Sequence, residues 1–365
     1  MGRRYTTLSG RRWKGATIED VASRAGVSVT TVSRVLNRSA HKVNANTQRL
    51  VLAAAHDLKY RPNAVARSLI QGQTATLGVL IPDLSNPYYA SIVHGVEAAA
   101  LEAGYAVLLC NTNRSLEKRA HYLRVLEEKR IEGMIVAGGA IASEEDGPLR
   151  DLNVPVVSVG HKVAKGFVID VDNFGATNRL TRHLLELGHE RIAVVAGPAT
   201  SLTSQARLEG CRAALASGGQ RREPEAVAHG TWRVDSGYQA ALRLLRASSE
   251  FTAIIVANDL MALGALRALR EHGIAVPEDI SIAGHDDIPE ASYMFPALTT
   301  MRIPSHELGR IATETLLRMI ERGGSIARTV FSAELVQRES TAPAPSGRGA
   351  KRRHAHRDRS RSVSS

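Results

Sequence analysis

Apolar positions near the start of the chain recur at helical spacing. Ile18, Val21, Ala22 and Ala25 share one face, and Val32, Val35 and Leu36 share another slightly later. Thr17 and Asp20 have the separation of a capping box, so the first helix is predicted to begin at Ile18. Gly26 supplies the turn, and the Ser28 hydroxyl is placed to cap the second helix. A third helix, opened by Asn46 or Thr47, carries Val51, Ala54 and Leu58 on one side. From Thr76 the pattern changes to short apolar runs alternating with helical periods. Strands are expected at 76–81, 105–110, 133–137, 154–159 and 167–171, with helices over 88–103 and 116–129. The pattern restarts with a strand at 191–196, helices near 203–217 and 235–247, and a strand at 253–256. A helix over 260–272, a strand at 280–283 and a long helix over 305–322 complete it.

Such alternation predicts parallel sheets covered by helices on both faces, here in two similar lobes. Ligands in such sheets bind beyond the carboxyl ends of the strands, in this case in a cleft between the lobes. The helical head has the pattern of a helix-turn-helix. Val29, Thr30, Thr31, Ser33 and Arg34 are expected to face outward from its second helix, where small and hydrogen-bonding groups suit entry into a DNA major groove.

Charge sharpens this division. The chain of 365 residues carries a net charge of +11. Residues 1–15 carry +5, residues 16–71 another +5, residues 72–342 carry −5 and residues 343–365 carry +6. Basicity therefore sits in the helical head and at both ends, as phosphate neutralisation requires, while the large α/β part is mildly acidic. The tail from Ala342 has too little apolar content for a core and reads as solvated. The two cysteines, Cys110 and Cys211, lie far apart, which fits a reducing cytoplasm. No metal-ligand spacing, signal peptide or membrane-length apolar run is present, so neither metal, cofactor nor membrane partner is expected. Catalytic motifs are missing too, and the adjacent Asp286 and Asp287 at a strand end point to opposite faces rather than forming an acid–base pair.

The segment Tyr60-Arg61-Pro62-Asn63-Ala64-Val65-Ala66-Arg67-Ser68-Leu69, following the helix-turn-helix, resembles the hinge signature of the lactose/galactose-repressor family. The likeness extends over residues 16–341. It implies a small all-α helix-turn-helix head joined to an α/β sensor like the periplasmic sugar-binding proteins, built of two parallel-sheet lobes. The implied organisation is a basic extension over 1–15, the DNA-binding head over 16–62, and a hinge helix with linker over 63–75. The ligand-binding and dimerisation domain then spans 76–341 and the basic tail 342–365. The implied partners are operator DNA, a small-molecule effector and a second copy of the chain, as a homodimer or a tetramer. The resemblance assigns DNA contacts to Thr17, Ser28, Val29, Thr30, Thr31, Ser33, Arg34 and Asn37, with Ala66 and Leu69 in the hinge. Leu69 corresponds to a leucine that wedges into the minor groove.

The resemblance also places Tyr88, Tyr89, His161, Arg207, Trp232, Asn258 and Asp286 around the effector. An indole can stack on sugar C–H faces, a guanidinium offers a planar donor fork, and Asn and Asp suit hydroxyl groups. Asp259 is expected to cap the following helix instead, and Asp172-Asn173 lies near the cleft without a defined role. Two departures matter: where many relatives carry an acid, this chain has Gly160, followed by His161, and the loop from Ser39 to Val43 is expected to be one residue longer than in a well-known relative, which would alter DNA-backbone contacts. The expected function is a ligand-responsive transcription regulator, most simply a repressor controlled by a carbohydrate. A nucleobase or phosphorylated metabolite is the alternative effector, and a sugar-transport protein or an enzyme is the alternative class.

Overall fold

The computed structural model describes residues 16–36, 43–61, 73–138, 153–160, 166–217, 223–247, 250–323 and 327–345. They divide into two compact units, with the boundary between Thr74 and Ala75.

The first unit holds three helices, α1 (Ile18–Ala25), α2 (Val29–Leu36) and α3 (Ala45–Asp57). Thr17 and Asp20 cap α1 reciprocally: the Thr17 amide donates to Asp20 Oδ2 at 2.8 Å, and the Asp20 amide to Thr17 Oγ1 at 3.3 Å. Gly26 ends the helix at φ +66°, a left-handed conformation that costs a glycine little. Val21, Val32 and Val51 are fully buried, one from each helix, and form the centre of a core too small to tolerate a polar substitution at any of them. The third helix begins at Ala45, one or two residues before its expected start. The Asn44 side chain accepts from the Asn46 amide at 2.8 Å, so Asn44 is the cap and Asn46 lies inside the helix.

The second unit contains two six-stranded sheets. In chain order its elements are β1 (Thr76–Ile81), α4 (Pro87–Glu102), β2 (Ala106–Asn111), α5 (Leu116–Glu128), β3 (Gly133–Ala137), β4 (Val156–Val159), β5 (Phe167–Val171) and α6 (Asn173–Glu186). Then come β6 (Ile192–Ala196), α7 (Leu202–Ser217), β7 (Val227–His229), α8 (Val234–Ala247), β8 (Ala253–Val256), α9 (Asp259–Glu271), β9 (Ser281–Asp286), β10 (Thr299–Arg302), α10 (Ser305–Arg322), β11 (Ala327–Phe331) and β12 (Glu334–Val336). The sheet orders are β11-β5-β4-β3-β1-β2 and β12-β10-β9-β8-β6-β7. Position by position these are the same arrangement. All pairings are parallel except β10 with β12, so the second lobe carries one antiparallel edge strand.

Both faces of each sheet are buried, which explains the near-continuous apolar strands. In β1, Leu77, Val79 and Ile81 enter one core and Leu80 the other; in β6, Ile192 and Val194 face one way and Ala193 and Val195 the opposite way. Helices α4 and α10 cross closely. A Cβ at Gly309 would overlap the Ile92 carbonyl, and one at Gly95 would overlap that of His306, so each glycine makes room for the other helix's backbone.

The chain does not finish one lobe before starting the other. It crosses after β5, returns after β10 to place α10 and β11 in the first lobe, and crosses again to add β12 to the second. Three segments, near 171–173, 302–305 and 331–334, therefore join the lobes.

Candidate nucleic-acid interface and ligand cavity

In the head, α2 presents Val29, Thr30 and Arg34 to solvent, with Val29 40% exposed. Thr30 and Arg34 are one helical turn apart and share a side of the helix. The outward set is smaller than the spacing suggested. Thr31 and Ser33 are half-buried, and the Thr31 hydroxyl lies 2.9 Å from Ser28 Oγ. Ser28 in turn accepts from the Thr31 amide at 3.2 Å, so it caps α2 as expected and its hydroxyl is occupied. The Thr17 hydroxyl is likewise engaged, donating to Asp20 Oδ2 at 3.0 Å. Asn37, Ala66 and Leu69 lie outside the described residues.

The second unit holds a cavity of about 300 Å³ at the carboxyl ends of the strands, lined from both lobes. Six of the expected effector residues meet there: Tyr88, Tyr89, Arg207, Trp232, Asn258 and Asp286. His161 lies outside the described residues. Arg207, on α7, is the organising group. It is buried, its Nε donates to Asn173 Oδ1 at 2.9 Å, Nη1 donates to the Ala257 carbonyl, and Nη2 stands 3.4 Å from Asp286 Oδ1. Its guanidinium carbon also lies 5.9 Å from the Trp232 ring centroid, within cation–π range. A buried cation with this many acceptors is fixed in place, and its remaining donor capacity is aimed rather than free.

Burial pushes the Asp286 carboxyl up to about 6, with Arg207 pulling the other way. Asp286 sits at φ +110° and Asp287 at φ +54°, a strained turn that sends the two carboxylates apart. Asp287 accepts from Arg302 Nε and Arg338 Nη2, each at 2.7 Å, away from Arg207. The expectation that the pair diverges holds.

Trp232 also occupies the left-handed region, at φ +70°. Asn258 stabilises that turn, since its Nδ2 donates to the Trp232 carbonyl at 3.2 Å while its Oδ1 accepts from the Met261 amide at 3.0 Å. Asn258 is therefore the cap of α9, and Asp259, expected in that role, is not. Asp259 is the first helical residue, fully buried, and accepts from Thr300 Oγ1 at 2.7 Å and from the Ile288 amide at 3.0 Å. It ties α9 to β10 and to the loop after β9. Burial, reinforced by Asp286, holds its carboxyl well above the usual range.

Tyr88 and Tyr89 open α4 behind an Asn86 cap and Pro87, and both line the cavity while also packing on lobe core. Their rings meet edge to face, with centroids 5.1 Å apart. Burial raises both phenols, so they remain hydroxyl donors. Asp172 caps α6 through Gly175, and its neighbour Asn173 is the cavity residue of that pair. Sequence reasoning left Asn173 without a role and missed Arg114 and Arg119, which also line the cavity. Arg114 follows β2 in a loop with no distinguishing motif, so only the fold brings it here.

Comparison with known proteins agrees with this architecture. Residues 17–63 match the family model described as bacterial regulatory proteins, lacI family, and residues 181–341 match the periplasmic binding protein-like domain. The HTH-type transcriptional repressor PurR of Proteus mirabilis is 38% identical over 339 residues, covering 90% of this chain and 98% of that protein. The crystal structure of the lac repressor dimer bound to operator and the anti-inducer ONPF superposes with a TM-score of 0.82 at 32% identity, covering 90% of this chain and all of that one. The transcriptional regulator CelR in complex with cellobiose gives a TM-score of 0.69 at 32% identity, over 89% of this chain and 99% of that one. With a helix-turn-helix head, a two-lobed α/β sensor and a repressor relative aligned along nearly its whole length, this chain belongs to the lacI family of bacterial regulatory proteins.

Proposed function

We propose that the chain acts as a homodimeric repressor whose operator affinity is set by a carbohydrate held between the sensor lobes. The observation that carries the carbohydrate reading is the cavity's composition. An indole stands beside a rigid Arg207–Asp286–Asn173 cluster, pairing an apolar surface with fixed donors and acceptors suited to a polyhydroxylated ring. Base reading is assigned to Val29, Thr30 and Arg34, and a dimer follows because one head reads only a half-site. Three connecting segments favour hinge closure over sliding, so a ligand touching both lobes shifts their angle. The relatives are regulators and the polar groups of the cavity mostly bind one another, which supports a sensor rather than an enzyme. DNA binding in turn implies the compartment that holds the chromosome.

A nucleobase effector is the second reading, favoured by the PurR relatives and by the Tyr88–Tyr89 pair, which offers a stacking surface. The test is a thermal-shift panel of neutral sugars, sugar derivatives and purines on the full chain, followed by operator-binding assays with each hit. A ligand that binds only the folded protein raises its melting temperature. A shift with sugars that also changes operator affinity is expected. A response confined to hypoxanthine or guanine would replace the carbohydrate reading with the second one.

A further inference from the structure

We infer that the fifteen residues before the helical head make a second DNA contact, to backbone phosphates beside the half-site that α2 reads. This rests on DNA binding by the head and adds to it a segment outside residues 17–63, which the family model matches. Residues 1–15 themselves lie outside the described residues. Their charge has one sign: Arg3, Arg4, Arg11, Arg12 and Lys14 give +5, with no Asp or Glu. The described residues of the head hold Arg24, Arg34, Arg49, Lys59 and Arg61 against Glu19, Asp20 and Asp57, a net +2. Part of that charge is engaged within the head. Arg24 Nη2 stands 3.7 Å from Asp57 Oδ2, and Arg49 Nη2 donates to Asn46 Oδ1 at 3.4 Å. Five cations in a segment without acids gain most from a polyanion, because each phosphate they neutralise releases condensed counterions.

The junction with the head keeps these charges within reach of the duplex. Thr17 caps α1 and Ala16 is the first described residue, so the segment joins the head at the amino end of α1. From Ala16 to Val29, where the reading helix starts, the chain runs through the eight residues of α1 and four others, a span of at most about 30 Å. Lys14, Arg12 and Arg11 precede Ala16 closely enough that none can lie further from it than about 18 Å, and the limit for Arg3 is about 47 Å. Double-stranded DNA carries one phosphate charge per about 1.7 Å of its axis, so the duplex flanking the half-site presents acceptors throughout that range. Phosphate contacts position a protein without reading sequence, so the segment should raise affinity for all DNA rather than selectivity.

The test is the salt dependence of DNA binding, for the full chain and for a chain beginning at Gly15. Anisotropy is read on a random-sequence duplex and on a palindrome obtained by binding-site selection with the full chain. Each phosphate contact adds about 0.9 to the slope of log affinity against log salt, so truncation should lower the slope by about 2 to 4.5. Two contacts, extrapolated to a common affinity near 1 M salt, correspond to roughly a 30-fold loss near 0.15 M. The loss should be equal on both duplexes, leaving the preference for the palindrome unchanged. The set Arg3→Lys, Arg4→Lys, Arg11→Lys and Arg12→Lys should keep the wild-type slope, since charge alone is required. Arg3→Gln, Arg4→Gln, Arg11→Gln, Arg12→Gln and Lys14→Gln together should reproduce the truncation. The Thr17–Asp20 capping box is intact in every variant, so melting temperatures should match that of the full chain. An unchanged slope after truncation overturns the inference and leaves DNA binding by the head standing. Tighter binding by the truncated chain also overturns it, because the segment would then compete with DNA. A loss confined to the palindrome overturns it as well, since that is base reading. A full chain that binds neither duplex overturns the function of the head together with the inference.

Discussion

Two aromatic side chains on the second lobe make the dimer testable. After the short 3-10 helix Pro289–Ser292 the chain alternates: Tyr293 is 87% exposed, Met294 is buried, and Phe295 is 93% exposed. Large apolar side chains left this bare usually mark an interaction surface when they sit side by side. A two-fold interface uses the same surface of both copies, so with this patch in the interface each substitution counts twice and the double variant Tyr293→Ser/Phe295→Ser removes four rings. Fully burying a large apolar side chain is worth about 1.5–3 kcal/mol, which gives roughly 6–12 kcal/mol for four. Halving the lower figure for incomplete burial leaves about 3 kcal/mol, or roughly a hundredfold in the dimer dissociation constant. Surface positions of this kind change folding stability by only about 0.5 kcal/mol, so the fold should survive. Sedimentation velocity at nanomolar and micromolar concentrations reads the association directly, and anisotropy on a palindromic operator reads its consequence. The variant should dissociate at concentrations where wild type is dimeric and lose affinity for the palindrome while half-site binding persists. If it stays dimeric with an unchanged dissociation constant, the patch is not the interface.

Arg34→Ala should relax preference at one base pair per half-site, costing about 1–3 kcal/mol of discrimination; unchanged preference in a binding-site selection removes Arg34 from base reading. Gly309→Ala should destabilise the sensor in urea denaturation. Helix propensity alone would favour alanine by about 1 kcal/mol, but its Cβ would lie 2.9 Å from the Ile92 carbonyl carbon and 3.0 Å from the Val96 nitrogen, and overpacking costs about 1–3 kcal/mol. A variant more stable than wild type would show that α4 and α10 are not closely packed. The Asp286 carboxyl, at about 6, sits above its ordinary value, so the folded state holds that proton more tightly than the unfolded chain. Its contribution therefore weakens folding as pH rises from about 4 to about 6, by a few kcal/mol at most, and Asp286→Asn should flatten that part of the stability profile. Parallel profiles for the two proteins would contradict the burial argument.

The strand–helix alternation was legible because both faces of each sheet are buried, leaving long apolar runs with clear ends. The short or polar strands were not. β7 and β12 have three residues each, and β10 and β11 carry the polar or mixed runs Thr-Thr-Met-Arg and Ala-Arg-Thr-Val-Phe, which have no sustained period. The helix α6 was passed over as well, although Leu180 and Leu184 repeat at helical spacing; its buried face is diluted by Asn173, Thr177, Thr181 and His183. Those polar groups are tolerated because they are satisfied locally: Thr177 Oγ1 donates to the Asn173 carbonyl at 3.2 Å and Thr181 Oγ1 to that of Thr177 at 2.7 Å. The exchange of β11 and β12 between lobes carries no local signal at all. Among cavity residues, those at strand ends and helix starts could be read from their neighbours. Arg114 and Arg119 could not, since a cation in a polar loop or on a helix reads as solvated until the fold closes around it.

The exchange of strands bears on how occupancy is felt. Asn173, which accepts from Arg207, stands at the first crossing segment, directly after β5. Ile303, in the second crossing segment, lines the cavity, and its amide approaches the Asp286 carbonyl at 3.4 Å. The third segment is fastened to the first, because the Asp172 amide donates to the Phe331 carbonyl at 2.9 Å and Arg179 Nη2 to that of Ala333 at 3.1 Å. The ligand site thus abuts two hinge strands, and hydrogen bonds carry the connection to the third. A ligand changes the angle between lobes only through a difference in its contacts with the open and closed arrangements. Here that difference is supplied where the chain must bend, so contacts made at Arg207 and Asp286 act on the crossing segments themselves. A ligand that touches both the Tyr88–Tyr89 wall of the first lobe and the Arg207–Asp286 pair of the second is therefore expected to bias the angle between the lobes.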